Sequence, residues 1–363
     1  MVQNAPYVLL SAGGTGGHVF PARALAEELM RRGFRVALAT DTRGLKYFDG
    51  LDSSVPRHII ASGTYTSGVL GKINGGFELI KGFVQSLKLI HHYKPIAVVG
   101  FGGYPSAPPL FAGQVMGVPT VLHEQNAILG LANKLLAPFS SKIALSYAET
   151  VGVSDKLLEK SVFVGNPVRQ SIADLASESY PSMDGKINIM VVGGSQGAKV
   201  FSDVVPFAIA GLPSELQKKL HIIQQSRPDA VESVRDIYSK TELDFEIKSF
   251  FDDMPEKIKN THLFITRSGA STIAELTAAG RPAIYVPFPW NRDNQQVYNA
   301  EQVEKAGGGW MVLERNLTVE GLKILLLNLL EGSEKLRESA ASAKRLGKIN
   351  ASGLLADIIT EFR

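Results

Sequence analysis

The sequence predicts an α/β protein of two doubly wound, Rossmann-like parallel-sheet domains in tandem, facing a cleft that would hold the active site. Three observations predict it. The chain has 363 residues, 45% of them hydrophobic and 20% charged, which suits two full cores better than one. Short β-branched runs alternate with helical patterns, as βαβ units and parallel sheet require. The pattern then restarts: a strand followed by Gly13-Gly14-Thr15-Gly16-Gly17 opens the first half, and one followed by Gly193-Gly194-Ser195-Gln196-Gly197 opens the second, 180 positions later.

In the first half, strands are expected at Tyr7–Ser11, Arg35–Thr40, Ile96–Phe101, Thr120–His123, Lys142–Ser146 and Val162–Val164. In the second they are expected at Ile187–Val192, His221–Gln225, Phe245–Phe250, His262–Thr266 and Ala283–Pro287. The first helix is legible in detail. Pro21 suits a first turn, Leu25 and Leu29 stack at i, i+4, Arg31 and Arg32 oppose the C-terminal dipole, and Gly33 ends it. The turn-forming Gly165-Asn166-Pro167 marks the boundary. Domains are therefore expected at 1–166 and 167–344, with a terminal helix of about 345–363 packing back on the first.

Composition sets limits. A net charge of +3 suits anionic substrates or a membrane surface and requires no nucleic acid. The absence of cysteine excludes disulfides, thiolate metal sites and cysteine nucleophiles. No Lys or Arg precedes Arg23, and the apolar piece Tyr7–Leu10 is too short for a signal-peptide core, so no export signal is read. Residues 95–122 lack charge but are broken by many Gly and Pro, which fits buried strands and loops rather than a membrane span.

Glycine-rich loops between strand and helix let backbone N–H groups approach phosphate at the positive helix end, and two of them suit a diphosphate. Neither matches the dinucleotide fingerprint, although Asp41 stands near where a ribose-binding acid would. In Thr266 to Glu275 a strand ends, Gly269 turns the chain and small hydroxyl residues open a helix. The amides of Ala270, Ser271 and Thr272 suit a phosphate, and Glu275, about one turn in, suits ribose hydroxyls; Ser268, Ser271 or Thr272 would serve equally as an ordinary N-cap.

His18 follows the first glycine loop, and His123-Glu124-Gln125-Asn126 follows another strand of the same half. An imidazole or a carboxylate suits deprotonation of a sugar hydroxyl, while each histidine taken singly reads equally as a structural residue. Arg169 can neutralise a diphosphate, and the amides of Gln295 and Gln296 can donate to and accept from sugar hydroxyls. There is no Asp-x-Asp and no ligand-spaced His or carboxylate cluster, which disfavours metal-dependent sugar transfer. Leaving-group charge then falls to helix N-termini and Arg169.

The strings GGTGGHVFPA (13–22), GFGGYPSAPP (100–109), LHEQNAILGLANK (122–134), VGNPVR (164–169), VVGGSQGA (191–198), RSGASTIAEL (267–276) and NQQVYNA (294–300) resemble the MurG family of peptidoglycan N-acetylglucosaminyltransferases. Their order and spacing cover nearly the whole chain. The resemblance implies a GT-B fold, a UDP-GlcNAc donor held mainly by the C-terminal domain, and lipid I, the undecaprenyl-pyrophosphoryl-MurNAc-pentapeptide, as acceptor. By motif match, Ser195 and the amides of Ala270, Ser271 and Thr272 would hold phosphate, Ile273 and Ala274 would belong to the UDP-GlcNAc site, Glu275 would hold the ribose, the backbone near Phe251 the uracil, and Gln295, Gln296 and Asn126 the sugar. Thr15, Gly16, Gly17 and Arg169 would complete the donor site, and His18, Tyr104, His123 and Glu124 would face the acceptor. The loop Trp290-Asn291-Arg292-Asp293 is a residue longer than the family's pattern.

The implied reaction is one inverting displacement by the muramyl 4-hydroxyl, with His18 or Glu124 as base, no cofactor and no metal. Expected partners are UDP-GlcNAc, lipid I, an anionic membrane surface and cell-wall synthesis proteins, with a peripheral location on the cytoplasmic face of the bacterial plasma membrane. Another GT-B transferase, a UDP-GlcNAc 2-epimerase, and a non-catalytic nucleotide-sugar sensor are the alternatives; a sensor has no need of the His18 and Glu124 group. Membrane docking is expected within Val69–Tyr93, where Leu70, Ile73, Phe77, Ile80, Phe83, Val84, Leu87 and Ile90 recur at helical spacing beside Lys72, Lys81, Lys88 and Lys94. The part after Gly76 is expected to face the core, leaving Leu70, Ile73 and Phe77, in a flexible glycine-rich stretch, to meet the lipid.

Overall fold

Thirteen strands frame the computed structural model, which describes residues 5–63, 69–194, 197–290 and 293–363, the side chains of 69–73 and 333 excepted. The chain divides into two units, Met1–Gln170 with Lys348–Arg363, and Ser171–Gly347. In the first unit β1 (Tyr7–Ser11), β2 (Arg35–Thr40), β3 (Arg57–Ile59), β4 (Ala97–Gly100), β5 (Thr120–Glu124), β6 (Lys142–Leu145) and β7 (Ser161–Phe163) form one sheet, order β3-β2-β1-β4-β5-β6-β7. The second holds β8 (Ile187–Val192), β9 (Leu220–Gln225), β10 (Asp244–Lys248), β11 (Leu263–Thr266), β12 (Ala283–Tyr285) and β13 (Gly309–Met311), order β10-β9-β8-β11-β12-β13. Every pairing is parallel. This is the doubly wound GT-B arrangement of parallel sheets.

Successive strand residues face opposite sides, and both sides are covered. Val8 and Leu10 join Leu25 and Leu29 of the Gly16–Arg31 helix in one core, whereas Leu9 joins Ile90 and Leu110 in another. The terminal helix Ala351–Thr360 adds Leu355, Ile358 and Ile359 to the first of these cores, against the Gly16–Arg31 helix.

Two strands escape the sequence pattern, the sheet edges β3 and β13. Each has three residues, Arg57-His58-Ile59 and Gly309-Trp310-Met311, without a β-branched apolar run. The first helix begins at Gly16, so Pro21 lies inside it and withholds one ladder donor there, instead of opening its first turn. Gly33 closes that helix in the left-handed conformation, φ +83°. The charge-free stretch folds as β4, a 3₁₀ turn, the helix Ala107–Val115 and β5. Among the described residues no helix is long and apolar enough to cross a membrane.

Strand order reverses once in each sheet, between β1 and β4 and between β8 and β11. Ser11 pairs with Gly100, so the glycine loop after β1 starts beside the Gly102-Gly103 turn after β4. Val192 pairs with Thr266, which sets the second glycine loop beside the turn at Arg267–Gly269. Chain leaving adjacent strands toward opposite faces opens a crevice at their carboxyl ends, where ligands of this class of sheet bind.

Candidate active site

In the first unit Thr15 is the extended N-cap of the helix starting at Gly16, so the positive end of the helix dipole lies at Thr15, Gly16 and Gly17. Asp41 braces the loop from behind. Its Oδ1 accepts from the amides of Gly14 and Gly44, each at 2.8 Å, and its Oδ2 from Nε of Arg43 at 2.8 Å. Burial pushes its carboxyl up, but those three donors outweigh burial and hold it below the ordinary range. The position suits a ribose acid; the lone pairs are committed elsewhere.

His18 is the third residue of that helix, and its ring lies against the Gly102-Gly103 turn. Both glycines have positive φ, +75° and +74°, and a Cβ on Gly103 would come within 3.4 Å of the ring. Side chains are disfavoured there by the positive φ, while the ring contact itself is ordinary packing. Burial lowers the His18 pKa, only partly offset by the Gly13 carbonyl and the Asp41 charge, so the imidazole is neutral at pH 7. The side chain remains partly exposed, and its buried Nδ1 has no hydrogen-bond partner of ordinary geometry among the described residues.

The other two titratable members of the expected group sit deeper. Glu124 is fully enclosed: Oε1 accepts from the backbone and side-chain amides of Asn126 at 2.9 and 3.1 Å, and Oε2 from the Gly130 amide and Asn133 Nδ2 at 2.9 and 2.7 Å. Burial raises its pKa against those four bonds. Four donors on a buried carboxylate make a loop brace, not a base with a lone pair to offer. His123 is likewise inaccessible, with Nε2–H donating to the Gly165 carbonyl at 3.0 Å and burial lowering its pKa to about 4. It anchors the turn after β7 and does not reach the surface. Tyr104 is exposed immediately after Gly103, and Arg169 lays its guanidinium 5.1 Å over the Phe20 ring of the first helix.

In the second unit Ser195 and Gln196 lie outside the described residues. Their flanking glycines are positioned: a Cβ on Gly193 would sit 2.2 Å from the Ala198 nitrogen, and Gly194 and Gly197 have positive φ. The helix Ala270–Ala278 starts directly beyond β11 with Gly269 as its N-cap and no side-chain cap, so Ser268, Ser271 and Thr272 do not fill that role. Its positive end therefore points outward at Ala270, Ser271 and Thr272. Ile273 is buried and roots the helix, while Ala274 and Glu275 stay partly exposed.

Helix Gln295–Lys305 follows Asn294, a left-handed residue at φ +49°. Gln296 Oε1 accepts from the Phe288 amide at 2.9 Å, which leaves its NH₂ group to donate and narrows the expected donor-and-acceptor role. Phe251 is buried just past β10, with the ammonium groups of Lys248 and Lys257 each 5.6 Å from its ring centroid.

Sequence reasoning missed the residues that hold these parts in place. Asn133 fixes Glu124, and Gln125 donates to the Phe101 carbonyl at 2.7 Å. Arg267 donates to the Val286 and Pro287 carbonyls at 3.1 and 3.3 Å and pairs with Glu314 at 2.6 Å. Asn299, fully buried, donates to the Ser268 carbonyl at 3.2 Å and joins the helix Gln295–Lys305 to the turn at Arg267–Gly269. A buried Asn or Arg beside a binding motif was the one signal available.

Two parallel α/β units, each with a glycine loop and a helix start at a strand-order reversal, define a nucleotide-sugar glycosyltransferase of the GT-B class. Comparison agrees: residues 8–145 match the glycosyltransferase family 28 N-terminal domain, and residues 188–354 its C-terminal domain. The chain is 43% identical over 99% of its length, and 97% of the relative's, to a Paramagnetospirillum magneticum protein named UDP-N-acetylglucosamine–N-acetylmuramyl-(pentapeptide) pyrophosphoryl-undecaprenol N-acetylglucosamine transferase. A relative of the same name from a Chelativorans species is 44% identical, covering 98% of this chain and 97% of that one. The solved structure of Acinetobacter baumannii MurG superposes with a TM-score of 0.80 at 28% identity, covering 98% and 99% of the two chains. This chain belongs to glycosyltransferase family 28 and, within it, to the MurG family. A Listeria monocytogenes structure described as a UDP-N-acetylglucosamine 2-epimerase, with a TM-score of 0.69, 13% identity and coverage of 99% and 97%, shares the fold alone.

Proposed function

We propose that this enzyme transfers N-acetylglucosamine from UDP-GlcNAc to the muramyl 4-hydroxyl of undecaprenyl-pyrophosphoryl-MurNAc-pentapeptide, with inversion, in peptidoglycan synthesis. The uncapped helix start at Ala270, aimed out of the sheet beside a second glycine loop, carries the donor half of the reading. Helix N-termini and the Arg169 guanidinium are the groups that would neutralise a diphosphate as UDP departs. Glu275 takes the ribose hydroxyls, the backbone near Phe251 the uracil, and Gln295, Gln296 and Asn126 the sugar. On the acceptor side His18 is the base, because it alone of His18, His123 and Glu124 is both partly exposed and unsaturated. The muramyl oxygen attacks the anomeric carbon as its proton passes to His18, and UDP leaves with the electron pair.

Incubation with radiolabelled UDP-GlcNAc and a lipid I analogue, followed by chromatography, tests the transfer itself; label that never enters the lipid product excludes it. In the same assay Glu275→Ala is expected to raise the KM for UDP-GlcNAc by the equivalent of about 1.5–3 kcal/mol, the value of a charge-assisted hydrogen bond. An unchanged donor KM would remove Glu275 from the ribose site.

The acceptor's lipid tail requires the enzyme to visit the membrane, and the proposed face is broader than the sequence pattern suggests. Val69–Tyr93 is one continuous helix rather than a flexible stretch followed by a helix. Leu70 and Ile73 have side chains outside the described residues. Phe83 and Leu87 pack on the core with Ile90, whereas Phe77 and Ile80 are 67% and 64% exposed. The helix thus buries one stripe and shows another. Phe83 contacts Phe111 at 5.2 Å, extending the apolar surface to exposed Phe111 and Val115, with exposed Leu131, Leu135 and Phe139 in the next helical segments. Exposed Lys81, Lys88 and Lys134 suit anionic head groups, each worth about 1 kcal/mol near the surface. Changing Phe77, Ile80 and Leu135 together to Ser should weaken binding to anionic vesicles while transfer to a short-chain, water-soluble acceptor persists. Vesicle binding equal to wild type would move the docking face elsewhere.

A further inference from the structure

We propose that Asp41 is a positioning residue for the base: it fixes the glycine loop that leads into His18, and it supplies the negative charge against which the His18 imidazolium forms. The inference rests on the reading of His18 as base. One buried oxygen of Asp41 joins two turns, that after β1 and that after β2, through the Gly14 and Gly44 amides. The junction admits no side chains, since a Cβ on Gly13 would lie 2.7 Å from that same oxygen and one on Gly44 would lie 2.9 Å from the Gly13 Cα. His18 sits in the first turn of the helix that this loop opens, so its place in the crevice is set by the junction.

The charges around His18 are few. Asp41, from the turn after β2, favours the protonated ring, as does the Gly13 carbonyl; His123, at the end of β5, stays a neutral ring; the Gly102-Gly103 turn brings no charge. Arg43, half exposed, faces the other oxygen of Asp41 and shares its charge. When the muramyl hydroxyl loses its proton to His18, the new O–C1 bond forms as the C1–phosphate oxygen bond breaks, and the ring becomes a cation. Asp41 stays a carboxylate throughout and receives no proton. Its presence lowers the cost of that cation.

Asp41→Asn separates the two roles, because the amide oxygen still accepts from both glycine amides while the charge is gone. The variant is expected to keep its melting temperature and to hold the donor KM within about twofold, with kcat about tenfold lower. The acid limb of its kcat/KM profile is expected to move to lower pH, since His18 loses its counter-charge. Arg43→Gln should move the same limb to higher pH, because Asp41 is then unshared. Opposite displacements are the signature that a brace alone does not give. Profiles that coincide with wild type, or that move in the same direction, overturn the proposal; if Asp41→Asn fails to fold, an unmoved Arg43→Gln profile does so by itself. His18→Ala is measured in parallel: wild-type turnover there removes the base reading, and the inference with it, whereas loss of turnover with unmoved Asp41→Asn and Arg43→Gln profiles removes the inference alone.

Discussion

Replacing His18 by alanine is expected to lower kcat by about 10²–10⁴ while UDP affinity stays within a few-fold of wild type. The size follows from what is removed. A neutral imidazole accepts the proton from a sugar hydroxyl as the bond to the anomeric carbon forms, and water restrained in the same crevice is a far weaker base. The selectivity for kcat follows from geometry, because the donor contacts proposed in the second unit do not involve this side chain. Glu124→Gln provides the contrast. It breaks the four-bond brace to Asn126, Gly130 and Asn133, so its expected effect is a lower melting temperature with an unshifted pH–rate profile. Wild-type turnover by His18→Ala, measured with saturating donor and acceptor, would place the base elsewhere.

Acid should destabilise the first unit well before its carboxylates titrate. His123 is enclosed as a neutral ring and holds the Gly165 carbonyl, and burial depresses its pKa to about 4. The unfolded chain binds that proton near pH 6.5, so the neutral form stabilises the native state fully above that point. As pH falls from about 6.5 to about 4 the unfolded state gains the proton first, and about 3 kcal/mol of stability is lost. His18, also lowered by burial, adds in the same direction. Urea denaturation between pH 8 and pH 4.5, with the His123 ring followed by NMR, checks this directly. A ring that titrates near 6.5 in the folded protein, or stability that does not fall below pH 6.5, would contradict the assignment.

The sequence by itself determined the repeated α/β plan, the positions of the central strands and the segments that carry the chemistry. These are local properties. Buried parallel strands such as Ala97–Gly100 are continuous apolar runs, and tight loops need glycine wherever backbone must take positive φ, as at Gly14 and Gly103. The edge strands β3 and β13 were not legible because Arg57-His58-Ile59 and Gly309-Trp310-Met311 contain no β-branched apolar run. Tertiary structure alone decided what surrounds each of the expected site residues. His18, His123 and Glu124 are equally plausible bases on paper, since their residue types state only what a group can do. Burial and hydrogen-bond partners on other segments, Gly165 for His123 and Asn133 for Glu124, engage two of the three within the fold. Asp41 passes from ribose acid to loop brace for the same reason: a lone pair already taken by the Gly14 and Gly44 amides is not available to a ligand, and only the folded chain shows which lone pairs are taken.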